Sequence, residues 1–301
     1  MFHRHTQQIV CLLFSIIVIT SCTKSSQLPA RELASAAEVK RIASAFETIT
    51  KANAEAWDAY DFDAMKALYT DDIVFTEATF GDHIVGIDEV MAMARGMSVS
   101  VPDMRRRIIN HYIGLEDCLC MYDYWVFLGS TQDNLFLYVF QLKTRSNRIS
   151  NWTLFEGLET AEKFRLASND RLAEAKSLLA NYQSAWSSGD STTVAGLYSG
   201  DAVRTDTLFR EKQGGYDAIT SFAKSFFAWY PGVKWNLQQS FGEWQGESPT
   251  IGGTYSVMVN DSANQPCEVH IAVLLQASEG KITHETLYYE PDSLIKCGWV
   301  K

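Results

Sequence analysis

Trp57 and Trp186 stand 129 residues apart, and the same interval separates Tyr69 from Tyr198 and Asp61 from Asp190. Asp72 and Asp201, Gly86 and Gly215, and Asp88 and Asp217 keep this spacing without an insertion. Farther on it drifts to 133, where Ile149-Ser150-Asn151-Trp152-Thr153-Leu154-Phe155 answers Ile282-Thr283-His284-Glu285-Thr286-Leu287-Tyr288. A long fixed period marks a repeated structural unit. Two copies of one domain, at residues 34–160 and 165–295, are therefore expected, and a chain of 301 residues has room for two domains of ordinary size.

Each copy presents its elements in the same order. Val39, Ile42, Phe46, Ile49 and Trp57 recur at helical spacing, as do Leu172, Ala175, Leu179, Tyr182 and Trp186, so each copy opens on a long helix with one apolar face. Asp61 and Asp190 sit where an N-cap is wanted for a short second helix. A strand follows at 73–79 and 203–208, and a third helix after Gly86 or Gly215. The rest alternates like strands: 106–113, 119–128, 135–143 and 149–155, then 234–241, 252–259, 268–276 and 281–288. Helices early and strands late predict an α+β fold of two tandem cone-shaped domains, each with helices packed on a curved antiparallel sheet.

The first 21 residues read as a signal peptide. Arg4 precedes an apolar run over residues 9–19, which is shorter than the ~18 residues a spanning helix needs. The following Ile19-Thr20-Ser21-Cys22 resembles a bacterial lipobox, which implies lipidation at Cys22, and residues 22–33 read as a tether. The expected location is outside the cytoplasm, at the cell membrane or outer membrane, held by the lipid anchor only. With 26 basic against 36 acidic side chains the chain lacks the charge that drives nonspecific nucleic-acid binding, so no nucleic-acid partner is expected. Cys118 and Cys120 are too close in sequence to bridge comfortably, whereas Cys267 and Cys297 bracket the last two strands and can pair in an oxidising compartment.

Gly189-Asp190, Leu197-Tyr198, Asp201-Ala202-Val203, Gly215-Tyr216-Asp217-Ala218-Ile219, Gly280-Lys281-Ile282 and Tyr288-Tyr289 together resemble the SnoaL-like branch of the nuclear transport factor 2-like superfamily. The likeness covers both copies and looks stronger in the second. It implies the cone fold of steroid delta-isomerases, scytalone dehydratase and polyketide cyclases, and says little about activity, because the cone hosts many. It also implies that two fused copies supply both halves of a family dimer, as an intramolecular pseudo-dimer.

Laid in register with steroid isomerases, Tyr182 falls on the tyrosine of the opening helix and Asp206 on the aspartate of the first strand. A carboxylate in a dry cavity shuttles protons and a phenol donates to a developing enolate. The alternative is that Tyr182 packs a helix interface and Asp206 caps a turn. The acid completing the isomerase oxyanion hole falls on Ala272, so the resemblance departs from isomerase chemistry there. His270, two residues earlier, is expected on the same cavity-facing side as a replacement donor or acid, or as a hydrogen-bonded structural histidine. Arg204, Phe222, Glu285 and Tyr289 are expected to face inward as binding residues, the alternative for Arg204 being a buried ion pair with Asp206 or Glu285. In the first copy Glu77 takes the place of Asp206, Asn53 that of Tyr182 and Trp152 that of Glu285, which reads as a degenerate scaffold. Glu77 is either a base with a raised pKa or a partner of His83 or Arg95.

Two functions remain open from the sequence: a cofactor-independent isomerase or lyase acting on a small apolar ligand in the second cone, or a lipoprotein that binds a ligand or a partner protein without turnover. No nucleotide-binding loop, serine nucleophile elbow or metal-ligand spacing is present, and no cofactor is expected.

Overall fold

Ser35 and Ser168 cap the two long helices, their hydroxyls accepting from the backbone N–H of Glu38 (3.1 Å) and Arg171 (3.3 Å). The computed structural model describes residues 35–77, 82–114, 119–127, 135–208, 211–243, 250–261 and 263–300. The expected signal peptide, Cys22 with the expected tether, and Cys118 lie outside them.

The first half runs α1 (Ala36–Ala59), α2 (Phe62–Leu68), β1 (Tyr69–Glu77), β2 (Asp82–Val85), α3 (Ile87–Ser100), β3 (Arg105–Ile113), β4 (Leu119–Phe127), β5 (Leu135–Arg145), β6 (Arg148–Gly157) and α4 (Leu158–Phe164). The second half runs α5 (Asn169–Ser188), α6 (Ser191–Ala195), β7 (Tyr198–Asp206), β8 (Glu211–Gly214), α7 (Gly215–Trp229), β9 (Lys234–Gly242), β10 (Thr250–Asn260), β11 (Pro266–Ser278), β12 (Lys281–Tyr289) and α8 (Pro291–Lys296). Asp61 and Asp190 cap α2 and α6 as expected. The short strands β2 and β8 and the short helices α4 and α8 were not anticipated. The strands β1 and β7 also begin four or five residues earlier than the sequence suggested, directly after the short helices. Among the described residues no helix is long and apolar enough to cross a membrane.

The protein is a mixed α+β structure with helices laid against a large curved sheet. The pairing scheme occurs twice. In the first half β1 pairs antiparallel with β2 and parallel with β6, which continues through β5 and β4 to β3. In the second, β7 pairs antiparallel with β8 and parallel with β12, which continues through β11 and β10 to β9. The registers repeat as well: Phe75 lies opposite Trp152 and Arg204 opposite Glu285, positions related by the 129- and 133-residue intervals. The half-sheets join at two equivalent points, Tyr289 opposite Ile113 and Glu156 opposite Gly242. Residues Leu33–Lys301 form one compact unit.

Two cores result. The larger gathers the helices against the concave faces of the sheet. The smaller, formed by Tyr112, Met121, Val139, Phe155, Phe241, Ala272 and Tyr288, lies where the two half-sheets meet. There Gln141 donates to the Tyr288 hydroxyl (2.6 Å), and the Phe155 and Phe241 rings sit 5.9 Å apart. Cys267 and Cys297 form a disulfide that ties the end of α8 to β11. Just beyond it Trp299 stacks on Tyr230 (4.8 Å between ring centres) and meets Tyr289 (6.2 Å). Cys120 is a buried free thiol whose pKa burial pushes up, so it stays protonated and inert.

The smaller core depends on the missing side chain of Gly252. A Cβ there would overlap the Phe241 ring and come within 2.9 Å of the Val273 carbonyl oxygen, whereas one at Gly200 would meet nothing within 4 Å. Gly252→Ala is expected to lower stability by about 1–3 kcal/mol and Gly200→Ala by less than about 0.5 kcal/mol. Thermal melts of the two variants check this.

Candidate functional site

Arg204 stands at the centre of the second half. Its side chain comes from β7 and is 3% exposed, with the Phe222 ring 4.1 Å and the Trp186 ring 5.3 Å from the guanidinium carbon. Its Nε lies 3.4 Å from a Glu285 carboxylate oxygen as an ion-pair contact rather than an aligned hydrogen bond. Nη1 lies 3.8 Å from Asp206 and donates to Gln213 on β8 (3.0 Å).

Phenols complete the set. Tyr182 on α5 donates to one oxygen of Glu285 (2.7 Å) and Tyr198 at the start of β7 donates to the other. Tyr289 donates to Asp206 (2.8 Å). Burial first, and then the negative charge of Glu285, raise the pKa of Tyr182 and Tyr198 well above a phenol's ordinary value, so both remain donors. Burial alone would lower the pKa of Arg204, but Glu285 and Asp206 outweigh it and leave the pKa raised. The group stays charged at every pH the fold survives. Aromatic rings enclose the network: Tyr182, Trp235 and Tyr255 lie mutually within 5.7 Å, and Trp186 abuts Tyr182, Trp235 and Phe226.

The expected residues divide accordingly. Tyr182, Arg204, Asp206, Phe222, Glu285 and Tyr289 all face this interior. Tyr182 and Asp206, however, do not face each other across a space; Glu285 and Arg204 lie between them. The expectation for His270 and Ala272 is corrected. Val269, Ile271, Val273 and Leu275 of β11 point into the large core, so alternation sends His270 and Ala272 to the other side of the sheet. Ala272 belongs to the small core between the halves. Glu268, His270 and Gln276 share one phase of β11, opposite buried Cys267, Val269, Ile271 and Leu275, so the alternation that places His270 is present in the sequence and only the central apolar run Ile271-Ala272-Val273-Leu274-Leu275 obscures it. Tyr198 was overlooked as a partner, although its repeat match to Tyr69 was visible.

The first half solves the same interior without charge. Phe75 stands at the position of Arg204 and Trp152 at that of Glu285, packed edge to face at 5.1 Å. Asn53 replaces Tyr182 and accepts from Tyr69 (2.5 Å), which accepts from Trp57 (2.5 Å). Glu77 sits at the end of β1, half-buried rather than enclosed. Of its expected partners, His83 contacts Thr76 (3.2 Å) and Arg95 lies over Phe62 (5.4 Å).

His270 instead lines a crevice of about 620 Å³ between the halves, together with His111, Glu47 and Glu290. The Thr50 hydroxyl lies 2.9 Å from the Phe46 carbonyl oxygen, to which it donates, and shares a hydrogen bond of 2.7 Å with His111 Nε2. Burial lowers the His111 pKa, opposed by Glu47 and Glu290.

Residues 50–146 match the family model of the SnoaL-like domain. The match falls on the first half, where the motifs looked weaker. No curated protein sequence matches the chain. Among solved structures, a hypothetical protein with a ketosteroid isomerase-like fold from Catenulispora acidiphila is 19% identical, covering 41% of this chain and 93% of that one, with a TM-score of 0.36. A putative calcium/calmodulin dependent protein kinase II association domain from Xanthomonas campestris is 19% identical over 40% of this chain and 89% of that one (TM-score 0.36). AclR, a putative hydroxylase from Streptomyces galilaeus, is 14% identical over 43% and 87% (TM-score 0.35).

The two halves suggest a double-mutant cycle. Removing one partner of a buried pair strands the other charge, so Arg204→Phe and Glu285→Trp alone should each cost about 3–5 kcal/mol. The double variant, which copies the first half at these two positions, should cost less than the sum of the two single losses but should not reach wild-type stability, because Asp206 stays buried and Tyr182 and Tyr198 lose their acceptor; denaturant melts give the coupling energy. Because His111 binds its proton less readily folded than unfolded, stability should fall as pH drops through about 6.5. Melts of the wild type against His111→Gln between pH 5 and 8 check the sign.

Proposed function

We propose that this protein is an exported lipoprotein, anchored through Cys22, in which two SnoaL-like copies form a built-in pseudo-dimer that binds ligand without turnover. The repeated pairing scheme, the equivalent joining points and the small core between the half-sheets support the tandem reading, with copies at 34–160 and 165–295. The apolar run before Ile19-Thr20-Ser21-Cys22 supports export and lipidation.

One observation carries the binding reading over the enzymatic one. Arg204 is wedged between Asp206 and Glu285, and three phenols donate to the same carboxylates. A general base needs a lone pair within reach of its substrate proton. Here Asp206 is already held by Tyr289 and Arg204, and the rings of Tyr182, Trp186, Trp235 and Tyr255 pack around the network. The network acts as a structural keystone, and ligand is taken up outside the cone, in the crevice between the halves.

Proton transfer is testable without knowing a substrate. Wild-type protein incubated in D₂O with a panel of enolisable ketones and β-hydroxy carbonyl compounds should produce no deuterium incorporation above buffer by NMR. Exchange by the wild type that vanishes in Asp206→Asn would establish the enzyme instead. Intact-mass analysis of the membrane fraction should find a chain beginning at a diacylglyceryl-modified Cys22; an unmodified soluble chain would overturn the anchor.

A further inference from the structure

The two joining points between the halves are related by the repeat, so each feature beside one has a counterpart beside the other. Next to the first, α1 and β3 face β11 and α8 across the crevice that His270 lines. At the counterpart, Leu172 stands for Ala43, Leu158 for Pro291, Ser240 for His111 and Leu137 for His270. Leu172 and Leu158 are buried there, at 4% and 3% exposure. The same backbone scheme thus carries buried Leu172 and Leu158 on one side, and Ala43 and Pro291 beside two imidazoles around a hollow on the other.

The lining has a definite chemistry. Glu47 on α1 and Asp292 on α8 stand at the exposed rim, with Lys40 as the cation among the lining residues. Glu290 is held in place because its carboxylate accepts from the N–H groups of Asp292 (3.1 Å) and Ser293 (2.7 Å) at the start of α8. Among the charged groups of the lining, the carboxylates of Glu47, Glu290 and Asp292 outnumber the one ammonium of Lys40. Ala43, Ile109 and Pro291 supply an apolar wall. Among the described residues no three His, Cys, Asp or Glu side chains are placed to chelate a metal ion. What matches is a donor-rich cation carried on a short hydrocarbon.

We infer that the crevice between the halves binds a small organic ammonium, a primary amine or diamine, with Glu47 and Asp292 facing the charge and Ala43 leaving room for its methylene chain. This deepens the binding reading above and rests on it.

The test uses the full chain in detergent micelles, with 1,5-diaminopentane as probe and 1,5-pentanediol as its uncharged counterpart, followed by calorimetry and ligand-observed NMR. Saturable binding of the diamine, weakened by added salt, with none of the diol, is expected. Glu47→Gln and Asp292→Asn should each weaken it about fivefold, the loss of one partly exposed ionic contact. Ala43→Leu, which installs the residue of the counterpart position, should abolish binding without lowering the melting temperature. Diamine and diol binding alike, no binding at all, or Ala43→Leu binding as the wild type does would each overturn the proposal. Should Ala43→Leu fail to fold, the Glu47→Gln comparison still decides. A failed amine test leaves the absence of proton transfer standing, and deuterium exchange would defeat the binding reading whatever the amine result.

Discussion

A charge cannot be left alone in a dry interior, and the second half is organised around that constraint. Once Arg204 occupies the centre of β7, carboxylates must come to it from β12 and from its own strand, and donors must come to the carboxylates from α5 and β12. The elements that supply them are distant in sequence, yet their relative positions are specified by one set of polar contacts. A satisfied network of this kind rigidifies a core, and the same groups become expensive when any member is removed.

The first half shows that the architecture does not require this solution. Trp152 and Phe75 fill the same register positions with rings, and a short relay through Trp57, Tyr69 and Asn53 is what remains of the polar set. One chain therefore contains both ways of filling one interior. That comparison argues for reading the carboxylates of the second half as architecture, since the same strand pairing stands without them in the first.

Much of this was legible in advance, and the failures have physical causes. Amphipathic periodicity marked α1 and α5, and the caps at Asp61 and Asp190 were set by local chemistry that does not depend on tertiary context. Arg204 and Glu285 were placed facing inward by the register of the family resemblance together with strand alternation, which holds where the two strands pair, Arg204 opposite Glu285. The side of β11 was readable from the polar phase Glu268, His270 and Gln276, but the isomerase register, carried over by position, set Ala272 and with it His270 toward the cavity. The crevice was invisible for a different reason. Its residues come from both halves and matter only by contrast with their repeat counterparts, which no single stretch of sequence displays.

The disulfide separates the halves in a way the rest of the pairing does not. In the first half α4 is followed by Leu166 and the chain runs on into α5, so the segment that closes the core is held at both ends by continuous backbone. The backbone hydrogen bond from Leu166 to Ala161 recurs as that from Trp299 to Leu294. Cys267–Cys297 adds a covalent link from the end of α8 to β11 for which the matching positions of the first half, Asn134 and Phe164, have no counterpart. Mechanically, a pull on the C-terminus is transmitted across the bridge into the middle of the sheet and loads β11 in shear, instead of unzipping α8 one turn at a time.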